Sequence, residues 1–244
     1  MSIFLRPHQL ALIAGYAYLP IFFLTPHSWI DKLIIRGDAA LTFSNLVQSE
    51  MLFRVGITCW LVVLVADTLV SWALYYFFSP THKGLSLLSS IFRLLFVAVF
   101  AANMLNWLNI LPFLEGANHL ISSLGKTYAE TQVTSLYSSY EYASNISFIF
   151  FGIHIGLMGY LALISGTIPR FFGVFLIIAS VGYQIDSFAT FLSPAYAKNE
   201  MAFWIVVALP AFLSEFSFTI WLLIRGGKVK EYDDIEPGTP ENVG

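Results

Sequence analysis

Charge is scarce in this chain of 244 residues: Asp, Glu, Lys and Arg together make up 11% of it. A soluble domain carries about 25%, because its surface must be wetted. A chain this long with so few charges cannot cover a water-facing surface of its own size. Basic excess is missing as well. Twelve Lys and Arg stand against 15 Asp and Glu, a net charge of −3, which provides no footprint for nucleic acid. Cysteine is nearly absent. Cys59 alone excludes an intrachain disulfide and leaves the redox compartment unread. No glycine-rich phosphate loop, no His-Glu-x-x-His and no Gly-x-Ser-x-Gly occurs, so the common nucleotide, zinc-hydrolase and serine-hydrolase signatures are missing. Nor is there an internal repeat of the kind inverted-repeat transporters carry.

What the chain has in abundance is apolar surface, 57% of its residues. A membrane helix needs about 20 mostly apolar residues. Six runs qualify, at about 10–29, 52–78, 87–114, 144–165, 171–192 and 203–224. The expected fold is all-α: a polytopic six-helix transmembrane bundle, one domain over 1–226, with short amphipathic external segments. Residues 227–244 form an acidic polar tail with little to bury, read as disordered and cytoplasmic. The first run is read as a retained span. Only Arg6 precedes it, it contains Pro20 and Pro26, and it lacks a small-x-small cleavage site.

Lys and Arg in short loops set orientation. With both termini cytoplasmic, that side holds Arg6, Lys83, Arg170, Arg225, Lys228 and Lys230. The other side holds Lys32, Arg36, Lys126 and Lys198, with Arg54 near its boundary. The cytoplasmic connections at 79–84 and 166–170 are short; the external ones, at 30–51 and 115–143, are longer. The stretch from Ile30, and Leu120, Ile121, Leu124 and Tyr128, mix polar and apolar residues at near-helical spacing, as interfacial helices do. Part of the second segment extends the fourth helix through Tyr137 and Tyr140.

Ionisable residues inside the apolar runs are the most informative feature. Each costs on the order of 2.5–3.5 kcal/mol at a helix centre on the insertion scale. Asp67, Arg93, His154, Asp186 and Glu215 lie in five different spans. They are expected to face inward, as a buried polar cluster of Asp67, His154, Asp186 and Glu215. Its candidate partners are Arg93, Asn103, Asn106 and Tyr183. The cluster reads in three ways: as hydrogen bonds and ion pairs that join helices, as a ligand, proton or ion site, or as a metal centre. His154, Asp186 and Glu215 would be the metal ligands. They lie on different helices without ligand spacing, so no metal and no cofactor is assigned. Gly152, Gly156 and Gly159 line the fourth span and permit close helix approach, with Gly166, Pro169 and Gly173 shaping the turn into the fifth. Pro210 is placed to kink the sixth.

Phe150-Phe-Gly-Ile-His154 with Gly159-Tyr160-Leu, followed by Ser165-Gly-x-x-Pro169-Arg170-x-x-Gly173, forms a distinctive pattern. Gly182-Tyr183-x-x-Asp186-Ser187 and Glu215 with Trp221-Leu-Leu-Ile-Arg225-Gly226 extend it. The pattern resembles the bacterial membrane family called domain of unknown function 4386, specifically over about 148–226. The resemblance implies a multi-pass protein of the cell inner membrane and supplies no activity. Two function classes remain. One is a protein that binds a lipid, a small hydrophobic ligand or a partner protein through its bundle. The other is an intramembrane enzyme or proton-coupled carrier that uses the buried cluster.

Overall fold

Long apolar runs leave the backbone one way to satisfy its N–H and C=O groups in an apolar medium, the helix. The computed structural model describes residues 6–25, 27–115, 125–193 and 196–226, with all side chains except those of 27, 28 and 196–209. Every regular element among them is helical: α1 (Pro7–Leu24), α2 (His27–Ile30), a 3-10 turn (Asp31–Leu33), α3 (Ala39–Gln48), α4 (Glu50–Leu108), α5 (Leu111–Glu115), α6 (Lys126–Ile164), α7 (Arg170–Leu192) and α8 (Tyr196–Ile224). The acidic tail at 227–244 and Leu120, Ile121 and Leu124 lie outside the described residues.

Among the described residues four helical runs are long and apolar enough to cross a membrane: α1, α4 continued through α5, α6 and α7. The side chains that face outward have the character of a lipid-facing surface. Phe171, Phe175, Ile178 and Ile185 of α7 are about half exposed, while Arg93, Asp67 and His154 are enclosed. Burial here is the reverse of a soluble protein's, in which charge faces out. The chain is an all-helical membrane protein.

The second and third expected spans fall inside one element, α4. The helix breaks at His82, whose φ of −161° and ψ of 96° are extended. Pro80, just before it, lacks a backbone donor. Beyond the break His82 Nδ1 accepts the N–H of Leu85 at 3.1 Å, capping the second half. The halves fold back antiparallel. Ser71 Oγ meets Ser90 Oγ at 2.8 Å, Ser86 Oγ donates to the Tyr75 carbonyl at 2.7 Å, and Arg93 bonds Asp67. These pairs share one register about the break. The polar connection expected at 79–84 is therefore a single extended residue.

Packing follows a closed ring. α1 packs on α4, α4 on α6, α6 on α7, α7 on α8, and α8 returns to α1. The α6–α7 contact is the closest. A Cβ at Gly159 would lie 2.8 Å from the Gly173 carbonyl, and one at Gly173 2.7 Å from the Gly159 carbonyl. The turn between them uses Gly166 at φ +68°, a conformation that glycine adopts without strain. α1 and α8 meet where Ala11 abuts Gly226 and Leu223 fills the space beside Gly15. Pro210 sits inside α8, which stays helical through it.

At the other end, α3 is an amphipathic helix capped by Asp38, whose side chain accepts the Leu41 N–H at 2.8 Å. Its Phe43 and Leu46 are buried. α6 begins at Lys126, about five turns before the span boundary expected from hydropathy. Tyr137 on that extension donates to Asp31 at 2.7 Å and ties α6 to the 3-10 turn.

Candidate functional site

Arg93 is the centre of the bundle's polar interior, with none of its side chain exposed. The antiparallel register of α4 sets Asp67 beside it. Arg93 Nε donates to Asp67 Oδ1 at 3.0 Å, and Nη2 donates to the same oxygen. Arg93 Nη1 donates to Tyr18 Oη of α1 at 2.9 Å and faces His154 Nε2 of α6 at 3.0 Å. The guanidinium also lies over the Tyr18 ring, 4.9 Å from its centroid, and 5.5 Å from that of Phe151. These ring contacts add cation–π attraction to the hydrogen bonds. One cation thus ties α1, both halves of α4 and α6.

The partners of His154 fix its tautomer. Guanidinium nitrogens only donate, so Nε2 must present a lone pair to Arg93. The proton is then on Nδ1, which donates to the Ser89 carbonyl at 2.9 Å. Ser89 Oγ lies 2.9 Å from the same Nδ1 and 3.3 Å from the His154 carbonyl, to which it donates. This excludes a Ser–His nucleophile pair. To take the Ser89 proton, Nδ1 would need a lone pair, and Nε2–H would then point at a cation. Ser89→Ala is therefore expected to cost the fold about 1 kcal/mol or less, because the Ser89 carbonyl still holds the imidazole. Thermal unfolding in detergent checks this; failure of the variant to fold would contradict it.

Glu215 of α8 completes the interior. It is 7% exposed and sits within electrostatic reach of Arg93, Asp67 and Tyr18. Its side-chain partner is Tyr183 of α7, whose hydroxyl donates to Oε1 across 3.4 Å. The two form a second, looser pair beside the Arg93 network.

The remaining candidates lie elsewhere. Asp186 is half-buried, accepts from Thr190 Oγ1 through its carbonyl at 3.0 Å, and makes no hydrogen bond to Arg93. Asn103 donates to the Tyr140 carbonyl at 2.9 Å and to Ser144 Oγ at 3.0 Å, and Asn106 donates to Asn103 Oδ1 at 2.9 Å. Those two asparagines join α4 to α6 in a separate layer and are not partners of the charged cluster. Among the described residues no three His, Cys, Asp or Glu converge to hold a metal. His154, Asp186 and Glu215 are not grouped as a ligand set among the described residues: His154 is held by Arg93 and Ser89, and Glu215 faces Tyr183.

A narrow crevice with a cavity volume of about 10 Å³ lies between the halves of α4 and α6, lined by Ser71, Ser86, Ser89, Ser90 and His154. It is far smaller than the 300–1,000 Å³ usual for a small-molecule pocket. Tyr18 and Ser89 were not evident as site residues from sequence. Tyr18 stands in a chain that is 17% aromatic, and Ser89 in a run with two further serines.

The sequence profile described as domain of unknown function (DUF4386) matches residues 13–226. A protein of Archaeoglobus fulgidus, described as an uncharacterized protein, is 29% identical over 170 residues, covering 70% of this chain and 83% of that one. No solved structure matches significantly. The profile match takes in every residue of the two pairs described above, from Tyr18 to Glu215, and most of the chain: this protein belongs to the DUF4386 family.

Proposed function

We propose that this chain is a six-span protein of the cell inner membrane with both termini in the cytoplasm. It binds a lipid, a small hydrophobic ligand or a partner protein through its bundle, while the Arg93 cluster holds the helices in place. The observation that carries this reading is the sealed state of Arg93. Arg93 donates to Asp67, Tyr18 and His154, and the tautomer this forces on His154 denies Ser89 a general base.

Two features support six crossings. The α4 halves lie side by side, so α4 contributes two. Ala11 and Gly226 are in contact, which brings the start of α1 and the end of α8 to one face, as an even number of crossings requires. Lys83 and Arg170 stand in the turns that share that face, and the positive-inside rule makes it cytoplasmic. In a Cys59→Ala background, an impermeant thiol reagent added to intact cells is expected to label Arg36→Cys and spare Lys83→Cys. The reverse pattern would invert the orientation.

Native mass spectrometry after mild extraction tests the binding role. A lipid-sized adduct or a partner that survives delipidation is the expected result. A bare bundle that moves protons across liposomes, and stops doing so in Glu215→Gln, would instead support a proton-coupled carrier. That second reading draws on Glu215 alone, the buried carboxyl with no cation bonded to it.

A further inference from the structure

Among the described residues the bundle interior holds two buried acids, Asp67 and Glu215, and one buried arginine. Arg93 is the buried cation, and its Nε and Nη2 both serve Asp67. His154 is neutral, as its two nitrogens show. Glu215 is left with the Tyr183 hydroxyl, at 3.4 Å. An isolated carboxylate in an apolar interior is expensive, so the group must acquire a positive charge from outside or give up its own.

We propose that Glu215, held by Tyr183, is a reversible proton-binding site in the core of the bundle, and the one exchangeable proton among its buried acids. The chemistry selects a proton over a metal cation. A hard cation needs about six oxygen ligands, whereas Glu215 is met by one hydroxyl and, on α8, by a Thr219 whose hydroxyl already donates to the Glu215 carbonyl at 2.8 Å. The other groups facing it are accounted for. Tyr18 of α1 and Asp67 of α4 are bonded to Arg93, His154 of α6 is fixed by Arg93 and Ser89, and Asp186 of α7 lies within electrostatic reach of Tyr183. Loss of the proton places a second carboxylate within reach of Arg93, in competition with Asp67. The protonation state of α8 is thereby coupled to the link between α1, α4 and α6. This inference rests on the membrane placement argued above and is independent of what the bundle's outer surface binds.

Infrared difference spectroscopy on the full chain in lipid nanodiscs, stepped in pH, tests the site. A protonated-carboxyl band that appears and disappears reversibly is expected in the wild type. It should be lost in Glu215→Gln, and its frequency should shift in Tyr183→Phe, which removes the hydrogen bond. A wild-type spectrum without such a band overturns the site, as does a band that persists in Glu215→Gln. If Glu215→Gln yields no folded protein, Tyr183→Phe decides: a shifted band supports the site and an unmoved band refutes it. Adduct binding in native mass spectra is a separate readout, so failure of either claim leaves the other standing.

Discussion

Arg93→Met is expected to destabilise the folded bundle by about 3–5 kcal/mol, the cost of leaving a buried charge without its partner. Asp67 would keep its carboxylate and lose both donors, Tyr18 Oη would lose its donor, and His154 Nε2 would face nothing. Arg93→Lys should rescue little. An ammonium lacks the planar fork that lets one side chain serve Asp67, Tyr18 and His154 at once. The double variant Asp67→Leu/Arg93→Met is the informative partner. Apolar replacement of both members of a buried pair is often neutral or better, so it should recover a large share of the lost stability. Unfolding in detergent monitored by intrinsic fluorescence measures all three. A single-variant loss under about 1 kcal/mol, the range of an exposed pair, would show that Arg93 does not hold the interior.

Gly173→Leu comes next in size. Its Cβ alone would stand 2.7 Å from the Gly159 carbonyl and 2.6 Å from Leu163 Cγ, so α6 and α7 must part. Overpacking typically costs 1–3 kcal/mol, and a backbone carbonyl yields less than a side-chain end, so a loss of about 3 kcal/mol is expected. Gly84→Leu is the control, because the space beside Gly84 meets only His82 at 3.6 Å, an ordinary contact. Equal melting temperatures for the two variants would refute a close α6–α7 crossing.

The two variants touch features that differ in how openly the sequence displays them. Glycine recurrence marks a helix face without ambiguity, so the Gly159–Gly173 approach can be anticipated from spacing alone. A charge inside an apolar run is equally visible, and Asp67, Arg93, His154 and Glu215 stand out for that reason. Which of them pair depends on hairpin register, and register depends on where the chain turns. Hydropathy places the turn across 79–84, but the backbone departs from helix at His82 alone, because the His82 side chain caps the second half at once.

Rotation about each helix axis is harder to read: Asn106 turns toward Asn103, and Asp186 is half-buried. Tyr18 and Ser89 carry no intrinsic mark, since a phenol or a serine hydroxyl costs little in a span and many are present. The long start of α6 is invisible to hydropathy for a similar reason. Thr131 and Thr134 each donate to the carbonyl one turn back, at Thr127 and Glu130, on a helix whose start is held by its own backbone and not by apolar content.

The fold-back of α4 at His82 underlies the rest: it places Asp67 against Arg93, supports the two crossings proposed for that element, and sets Ser86, Ser89 and Ser90 beside Ser71 and His154. Cross-linking tests it in the membrane. Ser71 and Ser90 stand 19 positions apart, and their hydroxyl oxygens are 2.8 Å apart across the hairpin. In a straight helix the same positions would be separated by about 28 Å. With Cys59→Ala as background, Ser71→Cys/Ser90→Cys should lose both free thiols on mild oxidation in native membranes and regain them on reduction, as counted by maleimide mass-tagging after denaturation. Two thiols that stay free under oxidation, while single-cysteine controls at the same positions prove accessible to the oxidant, would contradict the hairpin and the interior built on it.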